Sequence, residues 1–180
     1  MNNNEYEQHE GIRRSDLFKI ATTPMHYKYA MEHKDEAETT SALLFGTAAH
    51  KYILEPNDFA NEFATAPRCD RRTKEGKQIA LDFEAKCENE GLTAIGLEDY
   101  VTICDMSNQL NKNDVARALI DGITEQPFYW TDESTGIACK CKPDCITEYN
   151  GKKYIVDYKT TDSCADGHFE ASCRKYGYKF

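Results

Sequence analysis

Apolar positions follow two different periods along the chain. Up to about Leu119 they recur at steps of three and four, the period of one helix face; from Ile123 they fall into short alternating runs, the period of strands. The first texture predicts a series of helices. Ser15 is placed to cap a helix over Asp16 to Ile20, and Thr23 followed by Pro24 reads as an N-cap with proline in the first turn of a second, to Glu32. After the polar stretch HKDEAETT, the segment SALLFGTAAHKYILEP sets Leu43, Gly46, Thr47, His50 and Leu54 on one face, and Pro56 stops it. Further helices are expected from the RRTKEGK segment to Gly91, over about Glu98 to Asn111, and over Asp114 to Leu119. The strand texture covers EQPFYWTD, TGIACKCKPDCITEY and KKYIVDYKTT, separated by Ser134 to Gly136 and by Asn150-Gly151, and a closing helix is expected over about 165–176. The expected organisation is one domain over 1–180, with a helical part over about 15–121 and a strand core over about 122–162.

Composition narrows this picture. The 180 residues are 29% charged and 40% hydrophobic, with a mean hydropathy of -0.72, which excludes collagen-like, low-complexity and membrane-spanning chains. The longest apolar stretch, Ser41 to Leu54, is broken by Gly46, His50 and Lys51 and falls short of the roughly 20 residues that cross a bilayer. The first residues, MNNNEYEQHEGIRR, have neither a basic nor an apolar leader region, so the expected location is the cytoplasm. Eight scattered cysteines are then read as reduced thiols. Cys139, Cys141 and Cys145 form CxCxxxC, but no fourth ligand of matching spacing accompanies them, and buried thiols are favoured over a zinc site. The net charge of -9 opposes any coating of nucleic acid by bulk electrostatics. One strongly positive stretch, APRCDRRTKEGK, offers Arg71, Arg72, Lys74 and Lys77 for phosphate contacts that carry no base preference.

The candidate chemistry comes from strand register. Asn-Gly between two strand-like runs predicts a two-residue hairpin turn in which both residues take positive φ. Tyr149 then opposes Lys152, and counting outward sets Asp144 opposite Asp157. Directly opposed carboxylates repel at a Cβ separation of roughly 5 Å, so a hairpin that keeps them invites a cation, and all-oxygen ligands suit a hard divalent ion. Lys159, two residues beyond Asp157, points to the same face. A solvated strand face is the ordinary account of such a pair. Here Asp144 follows Pro143, and Asp157 follows the apolar run Tyr154, Ile155, Val156, a poor neighbourhood for an idle carboxylate.

Pro143-Asp144 followed by Asp157-Tyr158-Lys159 resembles the PD-(D/E)xK nuclease signature. With FGTAAHKYILEP, RRTKEGK, TGIACKCKPD, YIVDYKTT and KYGYKF in that order, the chain from about Ser15 onward resembles the exonuclease VIII (RecE-type) branch of the RecB-like nucleases. The resemblance implies an α/β fold: a restriction-endonuclease-like core with a small mixed β-sheet flanked by helices. It implies that His50, Asp144, Asp157 and the Tyr158 carbonyl hold Mg²⁺, with Mn²⁺ as a substitute, that Lys159 orients the attacking water, and that Glu125 at the start of the first strand is a further acidic position. It also implies 5′ to 3′ digestion of linear double-stranded DNA ends in phage or prophage recombination, with a RecT-like annealing partner, no membrane, and room for a homo-oligomer. The family's final helix carries a Gln-containing motif after a YGY-like segment, whereas the sequence given stops at Tyr178-Lys179-Phe180, as a C-terminally truncated nuclease would. The rival readings are therefore a fold that binds DNA ends or protein without cutting, and a zinc module built on the cysteines.

Overall fold

The computed structural model describes residues 3–33, 39–165 and 167–177. Part of the polar stretch, 34–38, and the last residues, 178–180, lie outside the described residues. A short helix not anticipated from the sequence, α1 (Asn3–Gln8), leads to Ile12, which bridges in parallel to Cys139 through Ile12 N–H to Ala138 O (2.9 Å) and Lys140 N–H to Ile12 O (3.0 Å). Helix α2 (Arg14–Thr22) is longer than expected, and Ser15 lies inside it rather than capping it. Its start is closed from within: the Asp16 carboxylate accepts the Arg13 N–H at 3.0 Å, the return half of a capping box. Helix α3 (Pro24–Glu32) begins as predicted, with Thr23 Oγ1 accepting from His26 N–H at 3.0 Å.

The first core forms around α4 (Ser41–Leu54), capped by Thr40. The alanines of its FGTAAH segment, Ala48 and Ala49, are fully buried with Phe59, Phe63, Ile95 and Ile103, and Leu44, Phe45, Tyr52, Tyr100 and Tyr158 pack against this cluster. Small residues on one helix face let neighbouring elements come close, and burying each large partner contributes roughly 1.5–3 kcal/mol. The partners are α5 (Phe59–Glu62), two strands the helical period did not reveal, and α7. Strand β1 (Phe63–Thr65) pairs in parallel with β2 (Thr93–Ile95), and α6 (Lys74–Glu90) makes the crossover between them. These strands are three residues long, too short for alternation to show. Gly91 ends α6 with φ +67°, and Leu92 N–H bonds back to Cys87 O at 2.8 Å, a Schellman closure. Helix α7 (Leu97–Asn111) and α8 (Asp114–Ile120) follow, close to their predicted limits.

The strand region begins with β3 (Ile123–Thr124) and β4 (Phe128–Thr131), and continues with β5 (Ala138–Cys141), β6 (Cys145–Tyr149) and β7 (Lys152–Val156) before α9 (His168–Lys175). Both sheets here are antiparallel, β3-β6-β7 and β4-β5. With the parallel pair β1-β2, the architecture is mixed α/β. The turn between β6 and β7 has φ +50° at Asn150 and +71° at Gly151, and Tyr149 opposes Lys152, the predicted register. One face of β6 is sealed by α8: Cys145 and Thr147 are buried, and Thr147 Oγ1 donates to Ala118 O (3.3 Å) and Asp121 O (3.0 Å). The other face carries Ile123, Ile146 and Ile155 in one cross-strand row.

The cysteines divide between these environments. Cys145 is buried as expected, but Cys139 is only half-buried and Cys141 exposed, because alternation turns both away from the face that packs on α1. The buried residue of that strand is Lys140, whose Nζ donates to the carbonyls of Tyr6 (2.8 Å), Glu7 (3.3 Å) and His9 (2.6 Å), so the ammonium caps the end of α1.

The contact between α8 and β6 yields a stability test. A Cβ added at Gly122 would lie 2.3 Å from Ile146 O and 2.9 Å from Thr147 Cβ. Gly122→Ala is therefore expected to cost about 1–3 kcal/mol and lower the melting temperature by several degrees. An unchanged denaturation midpoint would contradict this packing.

Candidate metal centre

The register of the strands explains how the centre is built. Thr124 opposes Cys145 in the β3-β6 pair and Phe128 opposes Cys141 in the β4-β5 pair, and both belong to one register. The two sheets are thus the halves of one long hairpin, interrupted where Glu125 faces Asp144, Gln126 faces Pro143 and Pro127 faces Lys142. Pro127 and Pro143 have no N–H to give, so the ladder cannot close between them. Glu125 N–H still donates to Asp144 O at 3.1 Å, and Glu125 sits at φ +52°, a left-handed conformation that side chains other than Gly, Asn and Asp seldom adopt. Glu125 therefore lies at a break between strands, not at the start of the first one. Its strained backbone aims a mostly buried carboxylate inward.

Helix α4 supplies the third group. His50 follows buried Ala49, and its Nε2 lies 2.9 Å from Asp144 Oδ2 while its Nδ1 lies 3.4 Å from Glu125 Oε1. One turn earlier, a Cβ at Gly46 would stand 3.3 Å from Thr160 Oγ1, so glycine there lets the segment after β7 lie against α4. One ligand atom from each of His50, Glu125 and Asp144 lies within 4.8 Å of the other two. Two carboxylate oxygens and an imidazole nitrogen make a donor set that fits a divalent cation such as Mn²⁺ or Mg²⁺. Among the described residues no group of this kind contains a cysteine.

The predicted acidic pair is placed unequally. Asp144 has only 13% of its side chain exposed, whereas Asp157, one step past the last ladder pair Cys145 and Val156, is 57% exposed and lies outside the three-residue group. Asp144 Oδ2 accepts the Tyr158 N–H at 2.6 Å. Burial pushes the Asp144 carboxyl up, but the His50 hydrogen bond, the charges of His50 and Lys159 and the Tyr158 N–H outweigh it and hold the group below the usual carboxylate range. Lys159 Nζ stands 2.6 Å from Asp157 Oδ1 and 3.8 Å from Asp144 Oδ2, so one ammonium spans both carboxylates. The Tyr158 carbonyl accepts from the same ammonium at 3.3 Å, and burial raises the Tyr158 phenol.

Two lysines that sequence reasoning passed over complete the surroundings. Lys142 pairs with Glu125 Oε2, and alternation from Asp144 back across Pro143 was the signal that places it on this face. Lys51 is held by Glu55 (3.0 Å) and Glu62 (2.7 Å) at the rim. These groups, except Asp157, line a cavity of about 460 Å³, to which Gly46 and Thr160 also contribute.

The basic run does not line this cavity. Arg71 pairs with Glu84 at 3.1 Å, and Arg72 pairs with Asp70 at 2.9 Å, lowering the Asp70 carboxyl and raising the Arg72 guanidinium. Lys74 opens α6, and Lys77 lies in its first turn. Exposed pairs of this kind contribute little to stability.

A fold of mixed α/β type that sets an imidazole, two carboxylates and a lysine around one break in a hairpin belongs to the class of PD-(D/E)xK nuclease-like domains. Residues 14–180 match the family described as "PDDEXK-like domain of unknown function (DUF3799)", and the chain belongs to that family. No curated protein matches the chain. No helix among the described residues is long and apolar enough to cross a membrane.

The two aspartates should separate in metal-free buffer. Asp144→Ala is expected to cost about 1–3 kcal/mol because it strips the partner from the Tyr158 N–H, while Asp157→Ala should cost under about 0.5 kcal/mol. The lowered Asp144 pKa adds a sign. Its charge contributes stability above the ordinary carboxylate value of 3.8, and this is lost as pH falls below that value through the lowered one. The advantage of wild type over Asp144→Asn should therefore shrink under acid, and urea titrations that gave a growing advantage would refute it.

Proposed function

We propose that the chain is a Mg²⁺-dependent exodeoxyribonuclease of the exonuclease VIII (RecE-type) kind, acting in the cytoplasm on ends of linear double-stranded DNA. The observation that carries this reading is the convergence of His50, Glu125 and Asp144 within 4.8 Å, with Lys159 3.8 Å from Asp144. His50, Glu125 and Asp144 would hold the cation, with Asp157 and the Tyr158 carbonyl beside them. A divalent ion bound there supplies polarisation of the scissile phosphate and a more acidic water. Lys159 orients the water and offsets charge that develops on the phosphate, a role its position between two carboxylates suits. Asp144, kept ionised by its surroundings, remains available as a ligand at neutral pH. Arg71, Arg72, Lys74 and Lys77 grip the duplex backbone without reading bases.

The biological setting in this reading is phage or prophage recombination. Digestion from the 5′ end leaves a 3′ tail for a RecT-like annealing protein, and a homo-oligomer would keep the enzyme on its strand. One observation favours a second reading, a catalytically impaired module that holds DNA ends or protein. Asp157, the second acid of the motif, is turned to solvent and to Lys159 rather than into the three-residue group.

Two experiments test the proposal. Linear duplex labelled at the 5′ ends should lose label with Mg²⁺ or Mn²⁺ but not with EDTA, and Asp144→Asn or Lys159→Ala should slow this by at least about 100-fold. Retained DNA binding with no cleavage under any of these metals would favour the binding module. Separately, Arg71→Ala with Arg72→Ala should weaken duplex binding about equally for all sequences and lower the salt slope by about 2. A loss confined to particular sequences would count against a backbone grip.

A further inference from the structure

Lys142 has a place in the centre that its position in the motif does not require. Its ammonium contacts Glu125 Oε2, the oxygen turned away from His50, and both side chains are largely buried, 20% and 16% exposed. An ion pair at such depth is screened far less than one on the surface. The same ammonium lies 5.6 Å from the centroid of the Tyr6 ring, and that ring also receives Lys140 Nζ at 4.8 Å. Tyr6 is buried, and Lys140 fastens its carbonyl, so the ring is a fixed surface rather than a passing neighbour. The Lys142 ammonium thus lies with a carboxylate on one side and an aromatic face on the other.

Resting on the reading of this site as a metal centre, we propose that Lys142 is its internal counter-cation. It holds the Glu125 carboxylate toward His50, and it competes with the divalent ion for that carboxylate. A cation that takes Glu125 fully must share it with the ammonium or turn the ammonium toward Tyr6. The competition sets how much metal the centre needs before it loads. It makes Lys142 a positioning residue, distinct from Lys159, which stands against Asp144 and Asp157 on the other side of the cluster.

The test is Mn²⁺ titration of the full chain by calorimetry, comparing wild type with Lys142→Met, Lys142→Gln, Lys142→Arg and Asp144→Asn, with folding checked by circular dichroism. Both neutral variants should bind Mn²⁺ about tenfold more tightly, since one competing charge is gone from a partly buried site. Lys142→Arg, whose fork suits a carboxylate, should bind no more tightly than wild type. A residue that merely supported the fold would give weaker binding on neutralisation, so unchanged or weakened Mn²⁺ affinity in a folded neutral variant overturns the proposal. Failure of both neutral variants to fold would make Lys142 a structural residue and overturn it equally. The underlying reading is tested separately by Asp144→Asn. If wild type binds no Mn²⁺, or Asp144→Asn binds it as well as wild type, the metal centre fails and the counter-cation with it. If Asp144 is required but Lys142 is indifferent, only the role of Lys142 fails.

Discussion

Carboxylates brought side by side in a sheet must be given positive charge, and the centre of this protein is arranged around that constraint. The interrupted hairpin sets Glu125 beside Asp144, and Asp157 follows the next strand, one step past its last pair. Each acid is met by a cationic or potentially cationic group: Lys142 at Glu125, His50 between Glu125 and Asp144, and Lys159 between Asp144 and Asp157. Without these partners the row would be destabilised by like-charge repulsion and by burial together. The same donor set, one imidazole and two carboxylates, fits a divalent ion.

The scaffold serves that row by bringing unlike elements within reach of it. Ala48 and Ala49 let α4 pack closely on the core, Gly46 lets the segment after β7 lie against it, and His50 arrives at hydrogen-bond distance from Asp144. Pro127 and Pro143 stop the ladder where the acids stand, which frees their carboxylates for ligation while the strands on either side stay paired. On the far side, α1 is joined to the ribbon by Lys140 and shares its Tyr6 ring with Lys142, so α1 is coupled to the centre.

Much of this was legible in advance. The helices from α3 to α8, apart from the one-turn α5, announced themselves by period and, at the start of α3, by the capping residue Thr23, because helical signals are local. The Asn150-Gly151 turn allowed the register of β6 and β7 to be counted, because positive φ at two residues is a local requirement as well. Strands β1 and β2 were missed because three residues carry no period, and α1 because its stability comes from the ammonium of Lys140, more than 130 residues away. The expectation that Cys139 and Cys141 would be buried failed for a similar reason. Alternation fixes that they share a face, but only the position of α1 decides which face is covered.

The sequence by itself determined the family resemblance, through its motifs and their order, the fold class that resemblance implies, and, by hairpin counting, the one-surface relation of Asp144, Asp157 and Lys159. Tertiary structure decided which acids converge. Glu125 enters the group and Asp157 stays at its edge because the broken hairpin and the close approach of α4 meet at Asp144, from segments 75 or more residues apart in the case of His50. The contact of Lys142 arose in the same way: its partner lies across the break, and no local pattern states how far a chain bends where neither proline can donate a hydrogen bond.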